Sequence, residues 1–363
     1  MSSIAIVNLY RKKEGVSVAA KLYQQVLVKN GFLTDFYQCV EGKDEDYFKG
    51  CNIVRGCHLP NRYLERGINR AVIFPFQLRS LDQDLIFLSD PWLLSLTLFN
   101  RNIIVLVHDV RLLTKYTENA AQTIFFKLLI SRLKTVKKII SISTTTKDAL
   151  IGLGFNDSKI AVIPHCTDLD ITAEDHIIKS LSKIKADEPL NVVYVAHDIP
   201  YKRISLFIKI AEKLTNFDPA NRFRFTLLSR LEQRTINAIV GNNTAKLTVI
   251  DEVDDLKDFY EQADLMLFPS EYEGFGRPLL EAMKSGIPIV ARDIPIVREI
   301  VNDAAHLIDS DCLDDWVNSL IDLYDEANYR RLALRSVYRS EEFSKPKFEQ
   351  NVIDVFTNAL NSE

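Results

Sequence analysis

Short runs of β-branched and aromatic residues alternate with longer amphipathic stretches along nearly the whole chain. Runs at 4–9, 33–37, 71–75, 84–88, 103–107 and 138–142 predict strands in the first half. Runs at 160–163, 191–195, 223–228, 246–250, 265–268, 287–290 and 304–308 predict strands in the second. They are continuous rather than alternating, the pattern of strands covered on both faces in a parallel sheet. Segments 16–30, 118–134, 203–215, 254–262 and 312–326 carry apolar residues at helical spacing. Strand–helix alternation of this kind predicts a doubly wound α/β fold.

A polar stretch at 165–190, with Asp168, Asp170, Glu174 and Asp175 and no strong strand, marks a boundary. It leaves about 170 residues on each side, an ordinary domain size. The division expected is 1–170, 187–345 and a last segment 346–363. Within that segment, 346–361 reads as a helix opened by Pro346, with Phe348, Val352, Val355, Phe356 and Leu360 as its apolar stripe.

Composition narrows the classes. The 363 residues are 47% hydrophobic and 26% charged, with 12 Gly and 12 Pro, which excludes disordered and collagen-like chains. A net charge of −4 argues against nucleic acid as a partner. Cys39, Cys51, Cys57, Cys166 and Cys312 are odd in number and contain no CxxC pair, so a disulfide framework and a structural zinc are not expected. No apolar run reaches the roughly 20 residues of a membrane span. Ile4–Val7 is followed at once by Arg11, Lys12 and Lys13, the wrong order for a signal peptide. A cytoplasmic protein is expected.

Charge is uneven. Residues 101–140 hold Arg101, Arg111, Lys115, Lys127, Arg132, Lys134, Lys137 and Lys138 against Asp109 and Glu118, a local +6, and 251–270 carry a local −6. Such runs are solvated helix faces, or, for the basic one with Phe125, Phe126, Leu128, Leu129 and Ile130 interleaved, a contact with an anionic membrane. Four Asp-x-Asp type strings (Asp44–Asp46, Asp82–Asp84, Asp168–Asp170, Asp309–Asp311) are what 49 acids produce by chance, and no metal is expected. His58, His165, His176 and His306 lack metal-ligand spacing. Gly152-Leu153-Gly154 follows a helix rather than a strand and does not make a dinucleotide fingerprint.

The chemistry concentrates in Leu265–Val290. A buried strand ends at Pro269-Ser270, a loop Glu271-Tyr272-Glu273-Gly274-Phe275-Gly276-Arg277 follows, and a helix opens at Pro278 and stops before Gly286. The first amides of a helix have no intrahelical acceptor and its dipole is positive there, so anions bind. Gly274 and Gly276 let a ligand approach the backbone. The loop lies at the carboxyl end of a strand, where open α/β sheets bind ligands. Glu273 and Glu281 would repel phosphate but accept hydroxyls. One phosphate cradle with an acceptor on either side suits a nucleotide sugar, with Glu281 on the ribose and Glu273 on the sugar. Alternatively, both are ordinary acids stabilised near a helix start.

The spacing Glu273-x7-Glu281, with Gly274-Phe275-Gly276-Arg277-Pro278-Leu279-Leu280 between, resembles the signature of retaining glycosyltransferases of the family-4 type, which have the GT-B fold. Ser141-Ile142-Ser143 with Ala161–Asp168, Val193–His197 with Pro200-Tyr201-Lys202, and Ile296–Val301 resemble further segments of that family, in the same order. The resemblance implies two facing Rossmann-like domains with the donor between them and the last helix crossing back to the first domain. It also implies hexosyl transfer from a nucleoside diphosphate sugar to a glycan or lipid-linked hydroxyl, with no further cofactor. Lys202 would contact the donor diphosphate, His108 the sugar and acceptor side, and Gly15 the loop beneath the donor. The family's usual Arg five residues before the lysine is replaced by His197, leaving Arg203, Arg230 and Arg277 as nearby cations. The family's double glycine is Glu14-Gly15 here. A nucleotide-sugar epimerase of related fold and a catalytically silent partner subunit remain alternatives, as do a surface role for Lys202 and a purely structural one for His108.

Overall fold

The computed structural model describes residues 2–10, 16–41 with Gly15, 48–114, Tyr116, 120–218, 220–231 and 247–362. Arg11–Glu14, Asp44–Asp46, Lys115 and Glu118 lie outside the described residues. The chain forms two compact units: Met1–His165 with Pro346–Glu363, and Cys166–Lys345.

In the first unit, seven parallel strands, β1 (Ser3–Asn8), β2 (Leu33–Val40), β3 (Asn52–Arg55), β4 (Leu85–Leu88), β5 (Ile103–Val107), β6 (Lys138–Ser141) and β7 (Ile160–Val162), lie in the order β3-β2-β1-β4-β5-β6-β7. β4 and β5 have no exposed residue, which is why they read as unbroken apolar runs. The helix Lys345–Asn361 buries Phe348, Val352 and Phe356. Phe348 and Phe356 meet Tyr23 with ring centroids at 5.2 and 6.2 Å, and Phe356 meets Phe87 at 5.3 Å.

The second unit holds β8 (Leu190–Val195), β9 (Phe223–Leu228), β10 (Leu247–Ile250), β11 (Leu265–Phe268), β12 (Ile289–Arg292) and β13 (Ala305–Ile308), in the order β10-β9-β8-β11-β12-β13. Strand order reverses between β8 and β11, which pair through Leu265 with Val192 and Met266 with Val193. The corresponding reversal in the first unit lies between β1 and β4.

Four expectations change. Residues 71–75 are not a strand but pass from a π-helical turn, Asn69–Ile73, into the helix Phe74–Gln77. Pro75 has no N–H for a ladder, and burial follows one helical face: Asn69, Phe74 and Leu78 are inside while Val72 and Phe76 are exposed. Asn69 fits there because Gly56 has no side chain in its way, and it exchanges hydrogen bonds with the Cys57 backbone at 2.8 and 3.0 Å. Second, Asn52–Arg55 is an edge strand that the apolar pattern missed because Ile53 is exposed. Third, the polar stretch 165–190 contains the helix Ala173–Lys185 of the second unit. Buried Ile177 and Leu181 hold it together with polar contacts, Ser180 and Lys183 reaching Asp264 at 2.7 and 2.6 Å. Fourth, the apolar residues of the basic stretch divide: Phe126, Leu129 and Ile130 are core, Phe125 stacks on Trp92 at 5.9 Å, and Leu128 is exposed.

None of the five cysteines forms a disulfide. Phe356 is fully buried against two aromatic rings, so Phe356→Ala should destabilise the first unit by about 3–5 kcal/mol, read as a lower urea midpoint for its unfolding transition.

Candidate active site

β11 is fully buried up to Phe268 and releases the chain at Pro269-Ser270. The helix that follows is Arg277–Lys284, with Pro278 at its second position rather than its first. Gly276 caps it at φ +91°, a conformation that disfavours any side chain, and a Cβ there would stand 3.0 Å from Leu279 Cδ1. No side chain caps this N-terminus, and the Leu279 N–H turns back to the Gly276 carbonyl at 2.9 Å. The far end closes on Gly286 at φ +71°, whose N–H reaches Met283 C=O at 3.1 Å while Ile287 N–H reaches Ala282 C=O at 3.0 Å. These two reversed bonds end the helix sharply.

Beside this loop, β8 runs into a 3-10 turn, Pro200–Lys202. Lys202 Nζ meets Glu273 Oε1 at 2.6 Å, with side chains only 14% and 9% exposed. Arg203, at φ +55°, reaches Glu271 at 2.9 Å and Asp311 at 2.6 Å. The backbones join as well, Glu271 N–H donating to Tyr201 C=O at 2.8 Å, and the Tyr201 and Tyr272 rings meet edge to face at 5.8 Å. Two of the residues singled out from sequence, Lys202 and Glu273, are therefore direct partners.

Glu281 is buried one turn into the helix. Its Oε2 accepts the Tyr260 hydroxyl at 2.8 Å, and its Oε1 faces Arg277 at 3.6 Å. Burial and the adjacent carboxylate push the Tyr260 phenol well up, so it remains a donor. Tyr260 was not legible beside Glu281, and although Glu271 lies in the loop and Asp311 in an acidic string, nothing local marked either as a partner of Arg203. Gly274, Phe275 and Leu280 lie on the loop and first turn, with Phe275, Leu279 and Leu280 buried. His197 is exposed just past β8, its carbonyl accepting Ile199 N–H at 2.9 Å. Of the other cations, Arg230 pairs with Glu252 at 3.3 Å. Asp311, in the last acidic string, holds both Arg203 and Arg292, and Asp168 holds Lys345 at 2.9 Å.

His108 and Gly15 belong to the first unit. Gly15 opens the helix Gly15–Lys29 and is exposed. His108 follows β5, with Nε2 3.0 Å from Ser89 C=O and its ring 5.8 Å from His165. Desolvation pushes its pKa down to about 4, so the ring is neutral at pH 7. A carbonyl can only accept, so Nε2 carries the proton and Nδ1 keeps a lone pair. At the β1/β4 reversal sits a carboxylate that sequence reasoning missed, Asp90, which accepts Trp92 N–H at 2.8 Å and the Tyr10 hydroxyl at 3.2 Å. Among the described residues, no cluster of three His, Cys, Asp or Glu could hold a metal ion.

Two Rossmann-like parallel sheets, the second with a cation, two carboxylates and an uncapped helix start at its reversal point, make this a two-unit α/β protein of the doubly wound class. Residues 14–171 match the model of Glycosyltransferase Family 4, and 178–335 that of Glycosyl transferases group 1. The chain belongs to this glycosyltransferase family, and its fold is GT-B. The chain is 28% identical over 228 residues to an O-antigen chain mannosyltransferase, RfbU, of Salmonella typhimurium, covering 61% of this chain and 60% of that one. It is 27% identical over 187 residues to the D-inositol 3-phosphate glycosyltransferase of Nocardia farcinica, covering 48% and 41%. These matches span less than two thirds of the relatives' own length. Solved structures of like fold include sucrose-phosphate synthase from Thermosynechococcus elongatus (TM-score 0.77, 16% identity, 99% of both chains). Others are WaaG, a glycosyltransferase involved in lipopolysaccharide biosynthesis (0.77, 13%, 98% and 99%), and Anabaena HepE in complex with UDP-glucose (0.75, 16%, 99% and 100%).

Desolvation pushes Asp90 up from its ordinary 3.8 to about 7. An acid raised in the folded state binds more protons there than in the unfolded chain, so the stability it contributes falls as pH rises from about 4 through about 7. Asp90→Asn should remove this slope: its melting temperature should gain on the parent's at pH 8 relative to pH 5.

Proposed function

We propose that the protein transfers a hexosyl unit from a nucleoside diphosphate sugar to an acceptor hydroxyl, with retention at the anomeric carbon, in polysaccharide or glycolipid assembly. The observation that carries this reading is the grouping of Lys202, Glu273 and Glu281 beside the uncapped start of Arg277–Lys284, at the β8/β11 reversal. The family supports it, as do the O-antigen and inositol-phosphate enzymes among the relatives.

In this reading the diphosphate lies at the helix start, where Lys202 and the 276–280 backbone offset the charge that develops on the leaving group. Glu273 accepts sugar hydroxyls and Glu281 the ribose hydroxyls. The bond from the anomeric carbon to the diphosphate breaks, the acceptor oxygen bonds to the same face, and the acceptor's proton passes to the leaving phosphate. His108 offers a neutral acceptor nitrogen to the sugar or acceptor hydroxyls. No metal takes part: Asp311 and Asp168 are engaged by Arg203, Arg292 and Lys345.

A thermal-shift panel of UDP, GDP, ADP and dTDP with their common sugars tests the donor. One of these should raise the melting temperature, and the matching sugar should be turned over equally well with EDTA present. Glu281→Ala should weaken nucleotide binding, and Lys202→Ala should lower turnover by roughly 10²-fold or more, the scale of losing one charge-stabilising group. Intact affinity and turnover in both variants would count against the site. Release of an altered sugar nucleotide from donor alone would indicate an epimerase instead. Failure of every nucleotide to protect the protein would indicate a silent subunit, a reading favoured by His197 in place of the family's Arg.

We also propose a cytoplasmic protein that rests on the inner face of a membrane. Among the described residues no helix is long and apolar enough to cross one. Leu98, Phe99, Ile124 and Leu128 are 66%, 49%, 62% and 66% exposed on the first unit, near Arg101, Lys127 and Lys134 in the sequence. Apolar wedges among cations suit an anionic lipid surface. The protein should co-sediment with vesicles containing phosphatidylglycerol and not with pure phosphatidylcholine, and Ile124→Glu with Leu128→Glu should abolish this; binding indifferent to lipid charge would refute it.

A further inference from the structure

Tyr194 stands in β8 with no exposed surface, its ring 5.5 Å from Phe207 and 5.8 Å from Phe268. A phenol so placed must find partners inside the protein. Its hydroxyl lies 2.6 Å from the Lys202 carbonyl and 2.8 Å from Ser270 Oγ. A carbonyl only accepts, so the phenol's single proton is committed to Lys202, and Ser270 must be the donor to the phenol oxygen. A directional chain results, from Ser270 through Tyr194 to the Lys202 backbone. Burial pushes the phenol's pKa far up, so the proton is never lost.

The two ends of this chain are the two halves of the site. Lys202 closes the turn after β8, and Ser270, fully buried, lies three residues before Glu273. The Lys202 N–H donates to Ile199 C=O at 2.9 Å, so both backbone groups of the lysine are held, and the next residue, Arg203, is in the left-handed region. A phenylalanine at 194 would fill the same space and strand both the carbonyl and the serine.

We infer that the Tyr194 hydroxyl is a positioning group that sets where Lys202 stands relative to Glu273, and thereby how the site grips its phosphate-bearing ligand. The inference deepens the glycosyl-transfer reading and rests on it for its kinetic consequence. Displacement of a reacting group by about 1 Å costs up to 10²-fold in rate.

The test uses the full chain with the nucleotide sugar found by the thermal-shift panel. Tyr194→Phe, folded by circular dichroism, should lower kcat roughly 10- to 100-fold with little change in the acceptor KM. In a Lys202→Ala background the same change should cost less than about 2-fold, because groups acting through one another are not additive. Ser270→Ala, which keeps the phenol–carbonyl bond, should show a smaller loss with the same dependence on Lys202, and it serves if Tyr194→Phe does not fold. Equal losses in both backgrounds, or none in either variant, would overturn the inference. The second readout is the ε-carbon NMR signal of Lys202 in the ligand-free protein, assigned by Lys202→Arg. It should move in Tyr194→Phe and in Ser270→Ala. If no nucleotide sugar is turned over by the parent protein, the functional reading fails, while an unmoved Lys202 signal refutes the positioning role by itself.

Discussion

Lys202 and Glu273 stand 71 positions apart in the chain and 2.6 Å apart in space, because β8 and β11 are neighbours in a parallel sheet whose order reverses between them. That reversal is what opens a crevice at the carboxyl ends of the strands. Everything else at the site serves to hold the two loops leaving these strands in register. The Tyr201–Glu271 backbone bond, the Arg203–Glu271 pair and the Tyr194–Ser270 contact all cross the same gap.

The ion pair also constrains how a ligand is admitted. Both side chains are mostly covered, so separating them without replacement would leave charges poorly solvated. An entering diphosphate offers Lys202 a more concentrated negative charge than one carboxylate, while sugar hydroxyls offer Glu273 donors in exchange. The ligand proposed for the site can therefore satisfy both partners at once, whereas phosphate alone satisfies only the lysine. Glu281 is held differently, by the Tyr260 phenol and Arg277, which orient it within the fold.

Much of the architecture was legible in the chain. Continuous apolar runs located β4, β5 and β11 because strands buried on both faces tolerate no polar alternation. The loop and helix of Glu273–Lys284 were legible because glycine and proline each mark one backbone geometry. The segment 71–75 was misread, since β-branched residues followed by a buried phenylalanine look the same in a strand and on one face of a helix. The helix Ala173–Lys185 was missed because its buried face mixes Ile177 and Leu181 with His176 and Ser180, so a short apolar stripe is diluted by polar residues.

Local residue pattern was enough to specify most strands of the two sheets, the glycine-led helix start and the types of side chain near it, because each depends on near neighbours in the chain. Which of those side chains touch was not written there. The pairing of Lys202 with Glu273, the seating of Glu281 on Tyr260, the joining of Tyr194 to Ser270 and the raised Asp90 all arise from strands and loops distant in sequence. Distance and desolvation govern those interactions, and both come into being only when the sheet order brings the chain back upon itself.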